Sequence, residues 1–251
     1  MKEKLSNEIN ILLDKLNIKT KTLCVFLYGS YNTGYEDKYS DIDLLIIVNN
    51  KYPEETGRGM NIINKRRYEY YIDTLDCIYE NLVNEIKTVT PITRNQVLHG
   101  KAIIVNNHEE LNNIIELATY VDQLPYKRKD NLIIQLDFIY FNNYLNKLKR
   151  KKELNELDFN MNYYIYIKEL IEAYYSINGY PLQIEKVYKL LKDSKYGEKN
   201  FQTLIKDDYV KKSFICLIEN VDLSLLEELK NYIMGKYCTN IINQESYRFF
   251  Y

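Results

Sequence analysis

The chain has 251 residues, enough for one or two domains and for a core that needs neither disulfides nor structural metal. Hydrophobic residues make up 46% and charged residues 27%, with a formal net charge of −1. That balance excludes an intrinsically disordered chain and the strongly basic composition of a dedicated nucleic-acid binder, though not a local basic groove. Cys24, Cys77, Cys216 and Cys238 stand far apart without a CxxC pair, and His99 and His108 are the only histidines. A Cys/His zinc site is therefore not expected, and small buried thiols are the reading for Cys24 and Cys77. The N-terminus lacks a signal-peptide pattern, and no apolar run approaches the roughly 18 residues of a membrane span, so a cytoplasmic protein without membrane association is expected. Trp is absent while Tyr reaches 26, a compositional bias given little functional weight.

Leu5, Ile9, Leu12, Leu13 and Leu16 recur at helical spacing and predict an amphipathic helix over 4–17. The run Thr22–Tyr28, stopped by Gly29-Ser30, reads as a buried strand, and Asp41–Val48, closed by Asn49-Asn50, as a second. Residues 51–66 hold Pro53, Gly57 and Gly59 and read as a loop. A third strand is expected within Arg67–Tyr79, a helix from Asn81, and a fourth strand at Lys101–Val105.

Beyond about residue 108 the periodicity becomes helical. Leu132, Ile133, Leu136, Ile139 and Tyr140 mark a helix ending in the basic run Lys147–Lys152, whose cations complement the helix dipole. Tyr164, Ile167, Ile171 and Tyr175 mark another, ended by Asn178-Gly179 as a left-handed C-cap. Ile184, Val187, Leu190 and Leu191 mark a third, and Ser224-Leu225-Leu226-Glu227 reads as a capping box opening the last. The predicted organisation is an α/β half over residues 1–107 joined to an all-helical half over 108–251.

The chemistry concentrates in Gly29-Ser30, ten intervening residues, then Asp41-Ile42-Asp43. Alternation along a strand sends Asp41 and Asp43 to one face, with Ile42 toward the core. Two carboxylates side by side repel unless a cation lies between them, and Mg²⁺ takes one or two carboxylates while completing its shell with water and phosphates. Gly29-Ser30, at a strand end before an expected helical turn, offers free amides and close approach to a triphosphate. An EF-hand is disfavoured because Leu44-Leu45-Ile46 follows Asp43. A third carboxylate is expected from the next strand. The candidates are Asp73 and Asp76, three apart and so on opposite faces of a regular strand, with Asp76 preferred for its apolar flanks. Arg58, Lys65, Arg66 and Arg67, before the third strand, are within reach of phosphates but read rather as a solvated loop, and His99 reads as structural.

Leu27-Tyr28-Gly29-Ser30 and Tyr39-Ser40-Asp41-Ile42-Asp43-Leu44 resemble the Gly-Ser…Asp-x-Asp signature of the DNA polymerase β-like nucleotidyltransferase superfamily. Length and the helical second half are similar to the kanamycin- and lincosamide-type antibiotic nucleotidyltransferases. The resemblance implies an α+β fold, in which an N-terminal mixed β-sheet flanked by helices binds Mg–NTP and a C-terminal all-helical bundle helps to bind the acceptor. It implies two Mg²⁺ ions on Asp41, Asp43 and Asp76, which are also the catalytic residues, and nucleotide binding by Gly29, Ser30 and Ser40. It also implies a homodimer. The chain departs from the pattern in two places. Tyr31-Asn32-Thr33-Gly34-Tyr35 lacks the arginine frequent in the family, and Asp137 is the nearest acid to a helical-domain base.

The resulting expectation is transfer of a nucleoside monophosphate from an NTP such as ATP to a hydroxyl of a small-molecule acceptor, an aminoglycoside or lincosamide antibiotic, with release of pyrophosphate. Two readings compete with it. A toxin or defence enzyme acting on tRNA or protein would use Lys147–Lys152 and Lys65–Arg67, and a catalytically silent nucleotide-binding module is the third.

Overall fold

The computed structural model describes residues 2–126, 128–182, 186–200 and 203–237. The chain divides into a unit ending at Pro125, which also takes in Lys199 and Asn200, and one beginning at Tyr126.

In the first unit, α1 (Lys2–Lys15) precedes a five-stranded mixed sheet built from β1 (Thr22–Tyr28), β2 (Ile42–Val48), β3 (Gly57–Ile63), β4 (Arg66–Thr74) and β5 (Lys101–Val105). The strand order is β3-β4-β2-β1-β5. β2 and β4 run parallel, while β1–β2, β1–β5 and β3–β4 are antiparallel. The central strands are apolar on both faces because both faces are covered. Ile42, Leu44 and Ile46 pack with Tyr68, Tyr70 and Ile72 under Ile9, Leu12 and Leu13 of α1. Phe26, Leu45 and Ile47 lie under α3 (Leu75–Thr88), α4 (Ile92–His99) and α5 (His108–Asp122).

Three differences from the expected elements follow from this packing. Residues 57–63 form a strand rather than a loop, because Asn64 and Lys65, with φ of 48° and 67°, make a two-residue turn that pairs Ile63 with Arg66. The third strand ends at Thr74, whose side chain accepts the Cys77 amide at 3.3 Å and caps α3. Leu75, Ile78 and Leu82 then fall on one buried helical stripe, so Asp76 stands in the first turn of a helix and not on a strand. The division after Pro125 also differs from one at 107/108. Leu111, Ile114 and Ala118 of α5 are buried against the second sheet face, so α5 belongs with the sheet.

The second unit contains α6 (Asn131–Leu154), α7 (Glu156–Ile177), α8 (Val187–Lys192), α9 (Ser194–Lys199), α10 (Asp208–Glu219) and α11 (Leu223–Tyr237). Phe138, Phe141, Tyr163, Tyr166, Leu170 and Phe214 anchor its core. Gly179, at φ 65°, ends α7 as expected, with the Tyr180 amide on the Tyr175 carbonyl at 2.9 Å and the Gly179 amide on Ser176 at 3.1 Å. Asp222, rather than Ser224, caps α11 by accepting the Leu225 amide at 2.9 Å. Ile184 and Cys238 lie outside the described residues. No helix among the described residues is long and apolar enough to cross a membrane.

Buried Tyr163, Tyr166 and Tyr175 satisfy their hydroxyls on backbone carbonyls. Tyr163 Oη bonds the Leu217 and Asn220 carbonyls at 3.2 and 3.1 Å and accepts the Asp222 amide at 3.0 Å, joining α7 to the α10–α11 turn. Tyr163→Phe leaves those groups without their partner and is expected to cost about 1–3 kcal/mol. Urea unfolding should show a lower midpoint with an unchanged slope.

Candidate active site

The register of the sheet decides which side chains meet. Tyr28 of β1 pairs with Asp43 of β2, which pairs with Glu69 of β4, which pairs with Met60 of β3. Side chains directly opposite share a face, so Tyr28, Asp43, Glu69 and Met60 form one row across the sheet. Asp41 stands one residue before β2, and the Ile42–Tyr68 pairing sets it beside Arg67. Asp41, Asp43 and Glu69 are all half-buried. The Tyr28 hydroxyl reports this grouping. Burial raises its pKa above the usual phenol range, and the negative charge of Asp43, with smaller contributions from Tyr71 and Glu69, adds to the effect.

Gly29 follows at φ 67° and opens α2 (Gly29–Thr33). A Cβ there would stand 1.9 Å from Asp43 Oδ2, so glycine is required by the approach of that carboxylate. Ser30, half-exposed, is the next residue of α2. Asn32 Nδ2 donates to the His99 carbonyl at 2.7 Å and ties this turn to the end of α4. Ser40, expected to contact nucleotide, is engaged in its own turn, accepting the Asp37 amide at 2.8 Å and donating to Asp37 Oδ1 at 3.2 Å.

The structure thus sets Gly29 against Asp43, with Ser30 next in α2 and Asp41 just before β2, but does not bring Asp76 to them. In parallel strands Val48 lies beside Thr74, so Asp76 is at the opposite end of β4 from Glu69. The five residues from Glu69 to Thr74 span about 17 Å of extended chain. Asp76 instead accepts Asn50 Nδ2 at 2.7 Å and donates its amide to Asn50 Oδ1 at 2.8 Å, an exposed structural pair. Asp73 pairs with Ile47 in the same distal region, and burial lifts its carboxyl above the ordinary range. The expected cation cluster of Asp41, Asp43 and Asp76 is not formed. Among the described residues no three Asp, Glu, His or Cys side chains are grouped to hold one ion.

The acid opposite Asp43 is Glu69. Tyr68, Tyr70 and Ile72 alternate onto the buried face, which turns Arg67, Glu69 and Tyr71 to the other. That alternation is visible in the sequence, but only the strand pairing shows that Glu69 meets Asp43. Arg67, read as a loop residue, lies in β4 and contacts two of the acids, with Nε 3.4 Å from Asp41 Oδ1 and Nη2 on Glu69 Oε1. Asp137, on α6 of the second unit, is paired with Lys129 at 2.7 Å.

A family model described as "Polymerase beta, Nucleotidyltransferase" matches residues 10–110. No curated protein matches the sequence. Among solved structures, a nucleotidyltransferase-like protein from Exiguobacterium sibiricum 255-15 is similar at 14% identity and a TM-score of 0.46, covering 93% of this chain and 78% of that one. The matched segment runs from within α1 to the start of α5 and holds every residue of the Tyr28–Asp43–Glu69–Met60 row, so the likeness to that nucleotidyltransferase family lies in residues 10–110.

Proposed function

We propose that the chain transfers a nucleoside monophosphate from an NTP to a hydroxyl of a small-molecule acceptor, with Mg²⁺ as metal and pyrophosphate as leaving group. The observation that carries this reading is the register that faces Asp43 with Glu69 and sets Asp41 beside them, against Gly29. The donor set fits a hard divalent ion. It consists of carboxylate oxygens without thiolate or imidazole, and two of the acids already hold a cation, the Arg67 guanidinium.

Asp41 and Asp43 would hold the metal, two ions in the full reading. When bound, Mg²⁺ neutralises the phosphates and the charge that develops on the attacking and leaving oxygens. Gly29 and Ser30 leave room and amides for the departing end of the triphosphate. Glu69, in the role expected of Asp76, orients the acceptor hydroxyl and accepts its proton as oxygen attacks the α-phosphorus in line.

The acceptor class follows the likeness to antibiotic nucleotidyltransferases, and a slightly acidic chain suits a cationic aminoglycoside. A homodimer belongs to the same reading. A tRNA acceptor would rely on Lys147–Lys152, where Lys149 is paired with Glu227 at 2.9 Å.

Incubation with labelled NTPs, Mg²⁺ and either an aminoglycoside and lincosamide panel or total tRNA tests the proposal. Label is expected on a drug. Label on RNA or protein would replace the acceptor, and label nowhere would overturn the reading. Asp41→Ala and Asp43→Ala are each expected to abolish transfer while far-UV circular dichroism stays unchanged.

A further inference from the structure

Arg67 is a charged neighbour of the acids to which the proposed reaction assigns no role. Strand alternation puts Arg67 and Glu69 on one face of β4, and the register sets Asp41 beside the first as Asp43 faces the second. Three carboxylates and one guanidinium thus occupy four adjacent positions. Arg67 reaches two of the three, through Nε to Asp41 at 3.4 Å and through Nη2 to Glu69.

The Arg67 contacts are suited to exchange. Its side chain is 52% exposed, and the Asp41 contact is long and single rather than a bidentate fork. Ion pairs this exposed are weak, and a doubly charged ion bound directly by carboxylate oxygens outcompetes them.

We propose that Arg67 is an internal counter-cation, which holds Asp41 and Glu69 together before metal arrives and which a divalent ion must displace. Arg67 is then a positioning residue that sets the affinity for free metal, an inference that rests on the metal-dependent reading above. Removal of the guanidinium tightens metal binding, whereas loss of a purely structural contact would weaken it.

Mn²⁺ titration of the full chain without nucleotide, followed by electron paramagnetic resonance, tests this. Arg67→Gln is expected to bind Mn²⁺ about threefold to tenfold more tightly than the unmodified protein. Its melting temperature should be lower in EDTA and should rise further on adding Mn²⁺. Arg67→Met should move both quantities in the same direction, and Asp43→Asn should abolish saturable binding. Equal or weaker Mn²⁺ affinity in both Arg67 variants, with Asp43-dependent binding intact in the unmodified protein, would overturn the counter-cation role alone. Absence of Asp43-dependent Mn²⁺ binding from every protein would overturn the metal-dependent reading and this inference with it.

Discussion

Glu69→Gln is expected to lower nucleotidyl transfer by roughly 10²–10⁴-fold, the range over which a positioned proton acceptor contributes, while Asp76→Asn leaves the rate nearly unchanged. The contrast follows from the sheet. Glu69 is directly opposite Asp43, so its carboxylate shares the face on which the acid pair stands. Glutamine keeps the size and hydrogen-bonding reach but cannot accept a proton or carry the charge. Asp76 stands at the distal end of β4, in the first turn of α3, and serves Asn50. Its replacement removes a charge near a helix N-terminus, and a loss of about 0.3–1 kcal/mol is the expected effect. Single-turnover assays with labelled NTP read the first change and thermal unfolding the second. A fully active Glu69→Gln protein, or an inactive but folded Asp76→Asn protein, would return the third carboxylate to the helix.

Gly29→Ala is expected to reduce transfer by at least about 10²-fold, since misplacement by an ångström in a reacting geometry has that effect. Two causes act at this position and a second glycine separates them. At φ 67° any side chain is strained, and the added Cβ would lie 1.9 Å from Asp43 Oδ2, forcing the carboxylate aside. Gly34, at φ 73°, has a similar backbone conformation but nothing within 4 Å of an added Cβ. Gly34→Ala should therefore show the strain alone, about 1–2 kcal/mol of stability with activity retained. Gly29→Ala should lose both. Measuring the melting temperature and the transfer rate for both variants checks the pair. If Gly34→Ala lost as much activity as Gly29→Ala, the close approach to Asp43 would not be the reason for glycine.

The near-complete burial of β1 and β2 on both faces was legible from their apolar runs, as was the sharing of one face by Asp41 and Asp43. Gly29 was singled out as a position of close approach, and the group nearest an added Cβ there is the Asp43 carboxylate. The segment Thr74–Ile78 misled because Leu75, Cys77 and Ile78 fit alternation over a few residues as well as a helical stripe. Thr74 as N-cap, and the helix stripe continuing to Leu82, settle it as α3. β3 was hidden by its glycines, which suit an edge strand where only one side is paired.

What the sequence determined by itself was local: element types over long periodic runs, the face on which each residue of a strand stands, and the acid pair next to a glycine. A period of two is written in consecutive residues and needs no partner to be read. The tertiary structure alone decided that β2 and β4 run parallel with Asp43 opposite Glu69, that α5 completes the cover of the sheet, and that Arg67 bridges two acids. Strand direction and register depend on how distant apolar faces are buried together, and a change in either moves a different carboxylate into the row.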